Sequence, residues 1–320
     1  MRGATVDSVA ADRAPPVIEA AELAAFEQVA AALAARAGAR IAAALAGEVR
    51  VSFKPPAPGA PANSNPVSQV DQDTEAFIRA ELAARFPGHA VVGEEFEPAG
   101  GAAPADAAAA RVRPEATSAG RGSSTDPVPT AAARFTWVID PVDGTSNFIN
   151  GLPLFGCSLG LLCGGWPVAG AIWCSATHRL GPGVYHARTG GGLRLDGEPV
   201  VRRGRGSWRG LGAEHGRTAR FGMLWDTRVL GTATLEFAWV AAGLLRHAFI
   251  PGPRLWDVAA GLVLVRAAGC QALTLHRGHW APLVYFAGSD PGQLAAWHHP
   301  VLIGDEAAVA QALPSAPKRV

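Results

Sequence analysis

Layered packing of helices and strands, α/β or α+β, is the fold class predicted here, on three observations. Apolar residues recur at three- and four-residue steps near the N-terminus, short apolar runs of β character fill the middle, and helical patterning returns after residue 230. Leu23, Phe26, Ala30, Leu33, Ala37 and Ile41 share one helical face, so a packing helix follows residues 1–16, which read as a frayed, flexible N-terminus. KPPAPGAPANSNP, rich in Pro, Ala and Asn, is expected to be a mobile surface loop bracketed by Lys54 and Asp71. The following VSQVDQDTEAFIRAEL reads in its second half as another amphipathic helix.

HAVVGEEF reads as an apolar strand closing in Gly93, Glu94 and Glu95. From about Pro98 to Arg134 the chain holds Ala, Gly, Pro, Arg and Ser with too few large apolar residues to fold, which predicts a disordered insertion. FTWVID resumes strand character, and FGCSLGLLCGGWPVAGAIWC reads as a hairpin of buried strands turned at Gly164 and Gly165. Glycine-rich turns continue to Arg203. Beyond them come a helix around TATLEFAWVAAGLL, a short strand HAFI, and a helix DVAAGLVLVRAAG ending at Gly269.

A chain of 320 residues, 49% hydrophobic and 17% charged, can bury a sizeable core, and its net charge of +1 supplies no basic field for nucleic acid. Cys157, Cys163, Cys174 and Cys270 have no C-x-x-C pair or histidines at metal spacing, so buried reduced thiols are expected rather than a zinc site or a disulfide framework. No uninterrupted apolar segment opens the chain, and Arg36 and Arg40 break the Ala-rich run that follows, so a cytoplasmic protein without a membrane partner is expected.

Chemistry concentrates in DPVDGTSNFINGLP. Asp140 ends an apolar strand, Pro141 fixes its own φ, and the turn is expected to return Asp143 to Asp140's side. Two carboxylates in one small volume repel unless one keeps its proton or a divalent cation binds both, and oxygen-only ligands favour magnesium over zinc. Gly144 has no Cβ, so backbone N–H groups there can approach an anion, and a helix beginning near Thr145 adds its dipole. Metal plus phosphate is one reading; an Asx-type turn capped by Asp143 is the other. Glu94 and Glu95 after a strand, and Asp257 before an apolar helix, are the additional acids, each of which also has a plain structural reading as a solvated pair or a helix N-cap.

The D-x-D-G-T of haloacid-dehalogenase-type phosphatases has the wrong register, and the G-x-G-x-x-G and P-loop signatures are missing. VVGEE, WVIDPVDGTSNFINGLP and LWDVAAGLVLVRAAG, in that order, resemble the motifs of the inositol monophosphatase family, and VSQVDQDTEAFIRAEL and LGTATLEFAWVAAG resemble two further segments, so the similarity spans roughly residues 20 to 290. The resemblance implies an αβαβα sandwich like that of inositol monophosphatases and fructose bisphosphatases. It also implies a homodimer, and hydrolysis of a small phosphorylated metabolite with two or three magnesium ions, often inhibited by lithium. In such an enzyme residues 17–315 form one phosphatase domain, with a metal-binding half (17–165, carrying the 98–134 insertion) and a substrate-side half (166–315).

By the same resemblance Glu94, Asp140 and the Val142 carbonyl would hold one ion, Asp140, Asp143 and Asp257 a second, and Glu95 would position water for a third. Thr145 paired with Asp71 would orient and help deprotonate the attacking water. The N–H groups of Gly144, Thr145 and Ser146 would hold phosphate, and Asp143, Gly231, Thr232, Ala233 and Asp257 would face the substrate. Ile250 stands where the family's polyol-binding Glu is expected, Asn65 and Ser68 replace a common Asp and Thr, and Cys270 replaces a Gly. Arg254 is read either as a contact for an anionic substrate group or as an exposed loop residue, and Lys54 either as a screen for the third-ion region or substrate charge or, preferred, as a solvated lysine outside the core site. A sugar or polyol phosphatase is the leading reading. A nucleotidase removing a 3′-phosphate from an adenosine bisphosphate, and a non-catalytic metal- or phosphate-binding protein of the same fold, are the alternatives.

Overall fold

A computed structural model describes residues 14–54, 66–96, 133–202, 210–214, 226–288 and 290–313. Residues 1–13, most of the proline-rich loop and nearly all of the 98–134 insertion therefore lie outside the described residues, as does Asn65. The chain runs through α1 (Ala20–Ala44), β1 (Val51–Phe53), β2 (Pro66–Ser68), α2 (Gln69–Arg85), β3 (Ala90–Gly93), β4 (Phe135–Asp143), α3 (Thr145–Ile149), β5 (Gly156–Cys163) and β6 (Trp166–Cys174). It continues through β7 (Gly183–Arg188), β8 (Arg194–Leu195), β9 (Glu198–Pro199), β10 (Leu211–Glu214), β11 (Asp226–Arg228), α4 (Ala233–Ala242), β12 (His247–Ile250) and α5 (Leu255–Ala267). β13 (Gln271–His276), β14 (His279–Pro282), α6 (Pro291–Ala295), β15 (Val301–Gly304) and α7 (Glu306–Ala312) complete it.

Strands β3 to β9 form a seven-stranded sheet in sequence order, parallel only at β3–β4. A six-stranded sheet has the order β11-β10-β12-β15-β13-β14. The seven-stranded sheet continues across residues 165 and 166 through the β5–β6 hairpin, and the change of sheet falls between Pro199 and Leu211.

Side-chain alternation decides the layers. Along β5, Cys157, Leu159 and Leu161 join α1 in one core, while Leu162 joins α4 and α5 in the other. α1 and α2 thus cover one face of the larger sheet, α4 and α5 lie between the two sheets, and α7 closes the far face of the smaller one against Phe249 and Leu302. The result is the αβαβα sandwich. α1 is not wholly apolar inward: Glu27 is buried and accepts from His186 at 2.8 Å and from Arg188 at 2.5 Å.

Helix α5 lies unusually close to the larger sheet because Gly160 and Gly170, paired across β5 and β6, sit beneath Ala259 and Ala260. A Cβ on Gly170 would fall 2.7 Å from the Ala260 carbonyl oxygen. Gly170→Val is therefore expected to lift α5 and destabilise the protein by about 1–3 kcal/mol. Denaturant unfolding measures this, and wild-type stability in that variant would refute the close packing. The four cysteines are buried free thiols. Among the described residues no helix is long and apolar enough to cross a membrane.

Candidate metal centre

The site forms where β4 leaves the sheet. Phe135, Trp137 and Ile139 point into the α1 core and Val138 toward α5, so strand alternation turns Asp140 toward α5 as well. Asp143, three residues on, should by the same alternation face away. A bulge corrects this: Asp140 pairs with Ser158 and Asp143 with Gly156, so β4 advances three residues while β5 advances two. The expected turn after Asp140 is thus a bulged continuation of the strand, in which Pro141 sits where it costs no ladder hydrogen bond. Asp257, in the first turn of α5, completes the group, and α5 is fastened beside the strands by a Ser158 hydroxyl donating to the Trp256 carbonyl at 3.3 Å. Asp140, Asp143 and Asp257 each bring a carboxylate oxygen within 4.8 Å of the others.

These acids are supported differently. Asp143 Oδ2 accepts from Thr232 Oγ1, Thr234 N and Thr234 Oγ1, each at 2.6 Å, so it is tied to the start of α4 rather than capping α3. Asp257 accepts from the Arg254 backbone N–H at 2.6 Å, doing N-terminal capping work as well. Asp140 is fully buried, and its Oδ1 has no hydrogen-bond partner among the described residues. Burial, then the charges of Glu94, Asp143 and Asp257, hold the Asp140 carboxyl well above the usual range. An orphaned buried carboxylate oxygen among other acids is the environment that a hard divalent cation relieves, so an oxygen-ligated ion fits these residues.

Glu94 borders the same group. Burial pushes it up to about 8, with Glu95 and Asp257 adding to the rise and Lys54 opposing it. Lys54 is not a solvated bystander: its ammonium lies 2.9 Å from Glu94 Oε1 and 2.6 Å from Glu95 Oε1. Burial pulls that ammonium down, but the two glutamates outweigh it and leave Lys54 raised. Sequence reading also missed Glu75. This buried acid on α2 accepts from Arg79 at 2.7 Å and from the Glu95 backbone N–H at 2.8 Å, fixing the Glu94–Glu95 turn. Its position four residues before Arg79 reads as an exposed helical ion pair, which hides its burial.

A raised carboxyl favours the native state at low pH. Glu94's contribution is fully present below its ordinary 4.5 and is lost as pH rises through about 8. The metal-free protein is thus expected to lose melting temperature across that window, and Glu94→Gln to flatten the loss; identical pH profiles for the two would contradict the buried-charge account.

Gly144 has φ +86°, a left-handed conformation that spares the chain a side chain where Leu154 O and Thr232 Cβ crowd, and it starts α3. The Thr145 hydroxyl lies 2.9 Å from both Asp71 Oδ1 and the Val142 carbonyl. Ser68, which stands where a Thr was expected, holds Asp71 in place: its backbone N–H donates to Asp71 Oδ2 at 2.9 Å and its hydroxyl meets the same oxygen. Burial raises Asp71 even against those hydrogen bonds and that of Thr145. Ser146 is exposed. Of the substrate-facing expectations, Gly231 is exposed beside Asn147, whereas Thr232 and Ala233 are buried, Thr232 holding Asp143. Ile250 packs in the inter-sheet core, and Arg254 is exposed with its backbone bridged to His298.

A family model described as the inositol monophosphatase family matches residues 22–301. Inositol-1-monophosphatase SuhB of Mycobacterium tuberculosis is 33% identical over 252 residues, covering 72% of this chain and 75% of that protein. A fructose-1,6-bisphosphatase/inositol-1-monophosphatase of Aquifex aeolicus is 27% identical over 218 residues, 63% of this chain and 70% of its own length. In three dimensions the extragenic suppressor protein suhB of Bartonella henselae superposes with a TM-score of 0.65 at 20% identity, over 91% of this chain and 98% of that one.

Proposed function

The chain belongs to the inositol monophosphatase family and is a phosphatase of that family, and from this premise we propose that it hydrolyses a small sugar or polyol phosphomonoester with two or three magnesium ions. One observation carries the reading: three carboxylates from β4 and α5 within 4.8 Å, with Asp140 Oδ1 buried and unpartnered among the described residues. In this reading Glu94, Asp140 and the Val142 carbonyl hold one ion, Asp140, Asp143 and Asp257 another, and Glu95 serves a third. Bound there, magnesium supplies charge neutralisation at the transferring phosphoryl group and acidifies water.

The chain's own groups do the positioning. Backbone N–H groups of Gly144, Thr145 and Ser146 hold the phosphate oxygens, and Thr145 Oγ1 takes the proton of the attacking water as it passes its own to Asp71 Oδ1, 2.9 Å away. Ser68 supports this by occupying Asp71 Oδ2 and leaving Oδ1 to Thr145. Lys54 lies across Glu94 and Glu95, engaging Oε1 of each, and so competes with a cation for those oxygens while leaving Oε2 of each acid to other partners. Gly231, Thr232 and Ala233, at the start of α4, face the substrate with Asp143 and Asp257, and Thr232 holds Asp143 in place. The names of the relatives from Mycobacterium tuberculosis and Aquifex aeolicus support a sugar or polyol substrate, while the burial of Ile250 removes a hydroxyl-gripping side chain from that position. A cytoplasmic homodimer belongs to the same reading and is checked by sedimentation and fractionation.

A panel of phosphate esters, including inositol 1-phosphate, fructose 1,6-bisphosphate and an adenosine 3′,5′-bisphosphate, assayed with and without magnesium, tests it. Magnesium-dependent release from the sugar or polyol esters is expected. Preference for the nucleotide, or no release from any ester, defeats the proposal.

A further inference from the structure

A second concavity lies far from the carboxylates. Among the described residues, Ile18 just before α1, Leu23 in α1, Trp166 and Val168 from β6, and Val263 from α5 line a cavity of about 650 Å³. Its size falls within the range of small-molecule sites, and its walls are chiefly apolar. It sits at the opposite end of the larger sheet from the metal centre: Cys163, next to the β5–β6 turn, pairs with the first residue of β4, whereas Gly156 pairs with Asp143. Asp257 and Arg266 mark the two ends of α5, about 13 Å apart along the helix.

Two guanidinium groups line this cavity, and they differ. Arg188 is neutralised by Glu27, its Nη1 lying 2.5 Å from Oε2. Arg266 faces no carboxylate among the described residues; its one hydrogen bond runs from Nη2 to the Leu283 carbonyl at 2.6 Å. A half-buried, always-charged group with several donors left over is costly to keep beside an apolar wall unless an anion meets it. Burial alone pulls that guanidinium down to about 10. Nothing in the hydrolytic chemistry of the carboxylate site calls for it.

We propose that this cavity is a binding site for a small amphipathic organic anion, an apolar or aromatic body in the cleft with a carboxylate-type group on Arg266. Trp166 and Val168 provide the apolar floor, and the planar guanidinium matches a planar two-oxygen anion. Because α5 carries Arg266 at one end and Asp257 at the other, an occupant here touches the element that positions the metal centre. The inference stands on the cavity and does not depend on the phosphatase reading.

The test is calorimetric titration of the full chain with 2-naphthoate, using 2-naphthylmethanol as the uncharged match. One site per chain is expected for naphthoate, with the alcohol weaker by about tenfold or more. Arg266→Gln should weaken naphthoate by a similar factor, and Ala267→Leu, which fills the cavity wall without altering charge, should weaken both compounds. Asp140→Asn should leave binding as in wild type. Melting curves establish that each variant is folded, and if Arg266→Gln is not, Ala267→Leu decides. No binding, equal binding of acid and alcohol, insensitivity to both cavity variants, or loss only in Asp140→Asn overturns the proposal; so does a second copy of the chain covering the cavity in solution.

Discussion

Asp140→Asn abolishes magnesium-stimulated phosphate release, by about a thousandfold or more, while the protein stays folded. Among the described residues Asp140 is the one acid of the cluster that is both fully buried and unpartnered at an oxygen, and Glu94, Asp143 and Asp257 all press on its charge. Without a cation, replacing that carboxylate by an amide removes like-charge repulsion, so the metal-free variant is expected to melt no lower than wild type. With magnesium, the wild type gains melting temperature by ligand linkage and the variant does not. Loss of activity with a normal magnesium-induced shift would mean that Asp140 is not a ligand. Wild-type turnover would remove it from the chemistry altogether.

Thr145→Ala is the second large effect, a fall in kcat of about a hundredfold to ten-thousandfold with a smaller change in KM. The Thr145 hydroxyl has one proton and two acceptors at 2.9 Å, Asp71 Oδ1 and the Val142 carbonyl, so removing it breaks the link between Asp71 and the place where water must be activated. Thr145→Ser keeps the hydroxyl and should restore most of the rate. Asp71→Asn should cost about as much as Thr145→Ala, and the double variant little more than either, because the two act as one proton path. Additive losses, or a kcat within about threefold of wild type in Thr145→Ala, would break that assignment.

Much of this architecture was readable beforehand because local periodicity is a local property. The helix from Leu23 to Ile41, the strands FTWVID and HAFI, and the hairpin turned at Gly164 and Gly165 need only their own residues to declare themselves. The smaller sheet was harder. β10, β12, β13 and β15 are four to six residues long and pair with segments distant in sequence, and the β13–β14 hairpin carries only a short signal of its own, so no single window holds the sheet. The acids were found because they cluster at strand ends and a helix start. Glu75 was not, and Lys54, though considered as a screen for that region, was set aside, because an i,i+4 helical pair and an ordinary lysine before a proline-rich loop each have a solvated reading that only burial can exclude.

What the amino-acid order determined alone was which acids exist and that they cluster after apolar strands and at a helix start; that Asp143 still belongs to β4 and Asp71 to α2 it did not determine. Tertiary packing decided that they meet. The bulge between Asp140 and Asp143 reverses the side-chain parity that the strand would otherwise impose, and the paired Gly160 and Gly170 admit α5 close enough for Asp257 to reach them. Both depend on pairing with β5 and β6. A chain read one residue at a time carries side-chain types and spacings, whereas the distance between two carboxylates is fixed by backbones that touch only after folding.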